Sequence, residues 1–255
     1  MNEDRLEALL NSKNCRDICP DAVRRIYEGE LAKRRDAKEA DKAARTAIHQ
    51  MTGAFMTPQQ LKKASSLLEE YAGGREEALA EALSLHASTR ERLACADELY
   101  ARIFEITGTP VSILDLACGL NPLWLGSKGY SVVGLDVHGG AVNLVNAFAA
   151  RMGWNIQARC ADLLSGTPKE QTDVCLMMKL LPVLEQQRKG SAIGLLCAVR
   201  APWRVVTFPT RTLGGRGVGM QSHYSQWMEE NLPPSLCVAG RFLVDNELCY
   251  VLKEA

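Results

Sequence analysis

The stretch Val111–Pro122, VSILDLACGLNP, decides how the carboxy-terminal half of this chain is read. Apolar Val111, Ile113 and Leu114 fit a parallel strand covered on both faces. The run then enters a turn of small residues, Ala117, Cys118 and Gly119, and closes on Asn121-Pro122. Small residues there keep bulk away from the strand's carboxyl end, where open α/β sheets bind their ligands.

Working outward, two acids make this turn specific. Asp136 closes a second apolar run, Tyr130 to Leu135, about twenty residues after Asp115, where an open α/β sheet places the acid that grips a ribose diol. Asp162 closes a third run, Trp154 to Cys160. Strand, small-residue turn and two strand-end acids in this order describe an adenosine pocket; the alternative is a plain α/β core with solvated acids. The dinucleotide fingerprint G-x-G-x-x-G is absent, since only Gly119 of the turn is glycine, and this argues against NAD and for S-adenosylmethionine. Because each acid sits at a strand end, replacing Asp136 or Asp162 by alanine is expected to cost cofactor affinity and spare the fold.

With 255 residues, 47% of them hydrophobic, the chain can bury a good core and has room for one large domain and a smaller one. No apolar run reaches the roughly 18 residues of a membrane span, and the amino terminus, MNEDRLEALLNSK, is acidic where a signal peptide is basic. A soluble cytoplasmic protein is expected. Nine cysteines form no CxxC pair and no Cys/His ligand pattern, so buried reduced thiols, Cys118, Cys175, Cys197 and Cys249 among them, are expected and a metal site is not.

Thirty basic residues balance thirty acidic ones, yet the distribution is uneven. From Gln186 through Met228 there is no Asp or Glu, while Arg188, Lys189, Arg200, Arg204, Arg211 and Arg216 fall there. This span either forms a phosphate-attracting surface or pairs its cations with acids from elsewhere in the chain.

Up to Thr107 the pattern is helical, and from Gly108 strands alternate with helices, giving an amino-terminal helical domain (1–107) and an α/β domain (108–255). Thr57-Pro58-Gln59-Gln60 is a capping box that starts one helix, and Ser88-Thr89-Arg90-Glu91 is read as another, opening a long helix through Phe104. Asp173 to Met178 and Trp203 to Phe208 read as further strands. Leu236 to Val244 and Leu248 to Leu252, separated by Asp245-Asn246-Glu247, read as a hairpin. A Rossmann-like, mostly parallel seven-stranded sheet finished by a carboxy-terminal hairpin is the arrangement of class I S-adenosylmethionine-dependent methyltransferases.

Five blocks carry a closer resemblance: HASTRERL (His86 to Leu93), LDLACGLNP (Leu114 to Pro122), KLLPVLE (Lys179 to Glu185), FPTRTLGGRGVGM (Phe208 to Met220) and NELCYVL (Asn246 to Leu252). Over nearly its whole length the sequence resembles the bacterial aminoglycoside-resistance 16S rRNA guanine-N7 methyltransferases of the Arm/Rmt type. The resemblance implies methylation of the decoding-site guanine at position 1405 in the 30S ribosomal subunit, by a monomer using S-adenosyl-L-methionine, releasing S-adenosyl-L-homocysteine and needing no metal or membrane.

The resemblance also implies roles for residues. His86, Ala87, Ser88 and Arg92 meet the methionine end of the cofactor, and Phe55 packs on it from the amino-terminal side. Ala117 passes beneath it, Asp136 accepts from the ribose, Asp162 with Leu163 holds the adenine edge, and Met178 and Gln187 line the remainder. Lys179, Glu185 and Glu247 match charged positions associated with activity. Lys179 is expected at the guanine or a phosphate, and Glu185 or Glu247 at the guanine N1 and N2 donors; a structural salt bridge is the alternative for each. No general base is expected, because guanine N7 offers a lone pair and no proton. Arg211 and Arg216 suit a loop approaching ribosomal RNA, Tyr224 or Trp227 is available for stacking, and Arg16, Arg24 and Arg25 belong to an amino-terminal region that docks on the ribosome. Two other classes remain open: a non-catalytic RNA-binding protein on a degenerate fold, and a small-molecule methyltransferase.

Overall fold

The computed structural model describes residues 2–34, 36–52, 55–211 and 219–255. Its centre is one seven-stranded sheet: β1 (Ser112–Leu116), β2 (Ser131–Asp136), β3 (Ile156–Cys160), β4 (Val174–Met178), β5 (Trp203–Pro209), β6 (Leu236–Val244) and β7 (Glu247–Glu254). The order is β3-β2-β1-β4-β5-β7-β6. The first five strands run parallel, and β7 enters antiparallel between β5 and β6. The fold expected from the sequence is therefore present, hairpin included.

Alternation along the strands builds two cores, because successive side chains leave opposite faces of a pleated sheet. Ile113, Val174, Leu176 and Val205 face one core, while Leu114, Leu116, Cys175, Met177 and Phe208 face the other. The first is covered by α4 (Pro58–Ala72), α5 (Glu77–Leu83), α7 (Ala96–Thr107), α8 (Asn121–Ser127) and α9 (Gly139–Met152). The second is covered by α10 (Leu181–Gln187), α11 (Ser191–Ala198) and α12 (Met220–Asn231). A third, separate core holds Leu9, Val23, Tyr27 and Ile48 from α1 (Asn2–Leu10), α2 (Pro20–Lys33) and α3 (Ala37–Thr52). The change from helices to strands at Gly108 is thus not where the cores divide, since α4, α5 and α7 pack on the sheet.

Local differences from the sequence reading have identifiable causes. Val111 is 83% exposed and precedes the strand, its N–H donating to Asp173 Oδ2 at 2.8 Å. Thr57 caps α4 as expected, with Gln60 N–H and Oε1 completing the box. Ser88 is no cap: His86, with extended backbone, precedes α6 (Ala87–Leu93), so Ser88 is already helical. The expected long helix breaks at Ala94–Cys95, because the Arg92 carbonyl is taken by the Cys95 N–H at 2.9 Å and approached by its thiol at 3.4 Å. Ala96, the next helical donor, instead starts α7. Of the four cysteines expected to be buried, Cys197 is exposed.

Candidate active site

A cavity of about 300 Å³ opens at the carboxyl ends of β1 and β4. Strand order reverses between these neighbours, the place where a crevice forms because the flanking crossovers leave in opposite directions. Phe55, His86, Ser88, Ala117, Asp136, Asp162, Leu163, Met178, Lys179 and Gln187 line it, joined by Arg25 and Arg211. Ala117 and Lys179, the residues that follow β1 and β4, hold φ of 54° and 56°. Such backbone costs about 1 kcal/mol or more for a residue with a Cβ and persists where surrounding structure enforces it.

Asp136 ties the turn together. Its Oδ2 accepts from Gly119 N–H and its Oδ1 from His138 N–H, both at 2.8 Å. Each oxygen keeps a second lone pair for a ligand hydroxyl. Gly119 is required twice over, by φ of 51° and because an added Cβ would sit 2.4 Å from His86 Cε1. The glycine face is thus occupied by the His86 ring, which stacks on Phe55 with centroids 6.0 Å apart and bonds Thr89 Oγ1 through Nδ1 at 3.1 Å. Burial lowers the His86 pKa to about 4, against the opposing pull of Asp136, so the imidazole is neutral near pH 7.

Asp115, to which the sequence reading gave no role, anchors the same turn from below. It accepts from Asn121 Nδ2 at 2.7 Å, and Asn121 also pairs with Tyr100. Burial pushes its carboxyl up to about 7, with the Asn121 bond opposing.

Asp162 is occupied on all sides. Oδ2 accepts from Arg25 Nε and Ser165 Oγ, both at 2.6 Å, and Oδ1 from Arg25 Nη2 and Leu164 N–H, both at 3.2 Å. Burial would raise its pKa, but these donors outweigh it and the net shift is downward. Arg25 also donates to Gln187 Oε1 at 3.2 Å, so α2 is bolted to the rim of the cavity. The expectation that Asp136 and Asp162 serve a ligand without serving the fold is therefore corrected: both hold backbone N–H groups, and Asp162 holds α2 as well.

The remaining charged residues cluster around Lys179. Its Nζ donates to Glu91 Oε2 at 2.8 Å and lies 3.4 Å from Glu247 Oε1. Glu247 is 1% exposed and sits 3.0 Å from Arg92 Nη2. Burial would push its pKa up, but Arg92 and Lys179 hold it down. Arg92, Glu247 and Ala87 lie behind the cavity wall. Glu185 accepts from Gly190 N–H at 2.6 Å and Ala192 N–H at 3.2 Å, at the amino end of α11. Glu91 lines the cavity and was missed, because its place in HASTRERL reads as the far end of a capping box.

The residues expected to face RNA fall in different places. Arg16 and Arg24 are exposed on the amino-terminal region, whereas Arg25 is half-buried against Asp162. Tyr224 stacks on Phe208, centroids 4.8 Å apart, and does not line the cavity. Arg216 lies outside the described residues. Arg204, counted in the acid-free span, is buried and spends its donors on the carbonyls of Leu196 and Val199, and Arg188 bonds the Leu164 carbonyl. That span is consequently no single basic surface.

Among the described residues, no group of three His, Cys, Asp or Glu is placed to hold a metal, and no helix is long and apolar enough to cross a membrane. Residues 11–251 match the family model for ribosomal RNA methyltransferase, FmrO. A 16S rRNA (guanine(1405)-N(7))-methyltransferase from Serratia marcescens is 43% identical over 98% of each chain. The crystal structure of 16S rRNA methyltransferase RmtF in complex with S-adenosyl-L-homocysteine superposes with a TM-score of 0.93 at 54% identity, covering 100% of this chain and 98% of that one. The 16S rRNA methylase RmtB superposes at 0.90 with 39% identity, covering 100% and 99%. A strand-end pocket with an acid closing β2 and another after β3, carried on a sequence alike from end to end, makes this chain a member of the FmrO family of ribosomal RNA methyltransferases.

Proposed function

We propose that this protein transfers a methyl group from S-adenosyl-L-methionine to N7 of guanine 1405 of 16S rRNA within the 30S subunit, acting as a cytoplasmic monomer and conferring resistance to aminoglycosides. The observation that carries the reading is the cavity itself, in which Asp136, Asp162 and Lys179 converge at the carboxyl ends of β2, β3 and β4.

The cofactor supplies the activated methyl group; the rest is positioning. Asp136 offers a free lone pair on each oxygen to the two ribose hydroxyls, and Met178 and Leu163 give the adenine apolar walls. Asp162 accepts the adenine amino group only when one of its four present donors gives way. Two of the four, Nε and Nη2 of Arg25, are not fixed by the turn. At the methionine end Ser88 lines the wall, while Arg92 contributes its charge from one layer behind. Neutral His86 adds no positive charge beside a sulfonium.

Guanine N7 needs no deprotonation, so the protein has only to hold base and methyl in line and to tolerate a positive charge moving from sulfur to the base. Lys179, the residue after β4 with φ of 56°, is the group assigned here to the base. The exposed Arg16 and Arg24, with Arg211 at the cavity mouth, are cations available to rRNA phosphates. A non-catalytic relative on this fold would not need an intact ribose-binding turn.

The test is transfer of labelled methyl to 30S particles, naked 16S rRNA and small acceptors, followed by borohydride and aniline treatment. Cleavage at guanine 1405 in methylated 30S particles is expected, since N7-methylguanine weakens its own glycosidic bond. Transfer without cleavage there means a different atom or base; transfer only to small acceptors rejects the ribosomal reading.

A further inference from the structure

The carboxylates first expected at the guanine edge do not line the cavity. Glu185 spans the amino end of α11, and Glu247 is enclosed between Arg92 and Lys179. Glu91 is differently placed. It lines the cavity, its side chain is 23% exposed, and only Oε2 has a partner, the Lys179 ammonium at 2.8 Å. Oε1 accepts from no group among the described residues. Lys179 in turn is 13% exposed, and its longest contact, 3.5 Å to Asn246 Oδ1, is the one most easily exchanged.

Side by side, an ammonium donor and two carboxylate acceptors repeat the order of groups on cytosine's pairing edge. We propose that the Lys179–Glu91 pair reads the Watson–Crick edge of the target guanine: Lys179 Nζ donates to O6, and Glu91 accepts from N1–H and N2–H. The inference rests on the ribosomal reading above and makes Glu91 a specificity-determining residue for it. A base taken out of its helix exposes this edge, and enzymes acting on such bases read it by hydrogen bonds. Adenine would oppose its amino donor to the ammonium and leave the carboxylate without a donor at N1. The same carboxylate places a negative charge beside a base that becomes cationic on methylation.

The experiment is a cycle that changes protein and base together: single-turnover methylation by wild type and Glu91→Gln, on 30S subunits carrying guanosine or inosine at position 1405. Inosine keeps O6 and N1–H and lacks the N2 donors. Wild type should act about tenfold or more slowly on inosine, as expected for losing a hydrogen bond to a charged acceptor. Glu91→Gln should be slow on both and discriminate between them by less than about twofold. If it retains the full inosine penalty, Glu91 does not touch N2 and the proposal fails. Wild type indifferent to inosine also overturns it, even if Glu91→Gln is inactive or unfolded. Wild type inert on guanosine subunits rejects the ribosomal reading itself, and the proposal with it.

Discussion

Replacing Asp136 by alanine should injure two things at once, and they can be measured separately. The carboxylate accepts from the backbone N–H of Gly119, which is buried, and of His138, which is half-buried. Water can replace the acceptor at His138, but Gly119 N–H is left with none, and a buried unsatisfied donor costs about 1–3 kcal/mol. Adding a smaller loss at His138, the variant should be destabilised by roughly 2–4 kcal/mol. For a chain of this length that lowers Tm by roughly 5–15 °C. Loss of the ribose contact, a hydrogen bond to a charged group, should separately weaken cofactor binding by about ten- to a hundredfold. Urea unfolding measures the first, and titration calorimetry with S-adenosyl-L-homocysteine, well below the variant's Tm, the second. Asp136→Asn, which keeps one acceptor oxygen, should fall between wild type and alanine in both. Unaltered affinity in Asp136→Ala would refute the ribose assignment, and an unaltered urea midpoint would refute the account of the turn.

Two further outcomes follow from the same geometry. The folded-state pKa of His86 lies below the ordinary value of 6.5, so its contribution to stability is fully present above pH 6.5 and is lost as pH falls toward 4. An NMR titration of its ring protons should show a midpoint near 4, and one near 6.5 would mean that the ring is open to water. Arg211→Ala should leave affinity for S-adenosyl-L-homocysteine within a few-fold of wild type and weaken 30S binding, flattening its salt dependence by something under one unit per lost phosphate contact. An unchanged salt slope would take Arg211 out of the RNA interface.

The strands were legible because each carries its own signal: an apolar run, a small-residue turn and a terminal acid are local properties of VSILDLACGLNP and its two successors. Asp136 and Asp162 could be placed on the same ground, and the hairpin by its short polar connection. The capping box at Thr57 was readable because its partners are three residues apart. The box at Ser88 was not real, because the same letters were committed to a helix that begins one residue earlier, behind His86.

What tertiary structure alone decided is which charge meets which. Arg25 and Asp162 are 137 residues apart, Arg92 and Glu247 155, and Lys179 and Glu91 88. No local pattern announces such pairs, since an arginine on a helix looks the same whether it faces water, a phosphate or a buried acid. Packing makes the choice: a charge drawn into a low-dielectric interior must find an opposite one there. So Arg92 turned to Glu247, Arg25 to Asp162, and Glu91 was left at the cavity with an oxygen to spare.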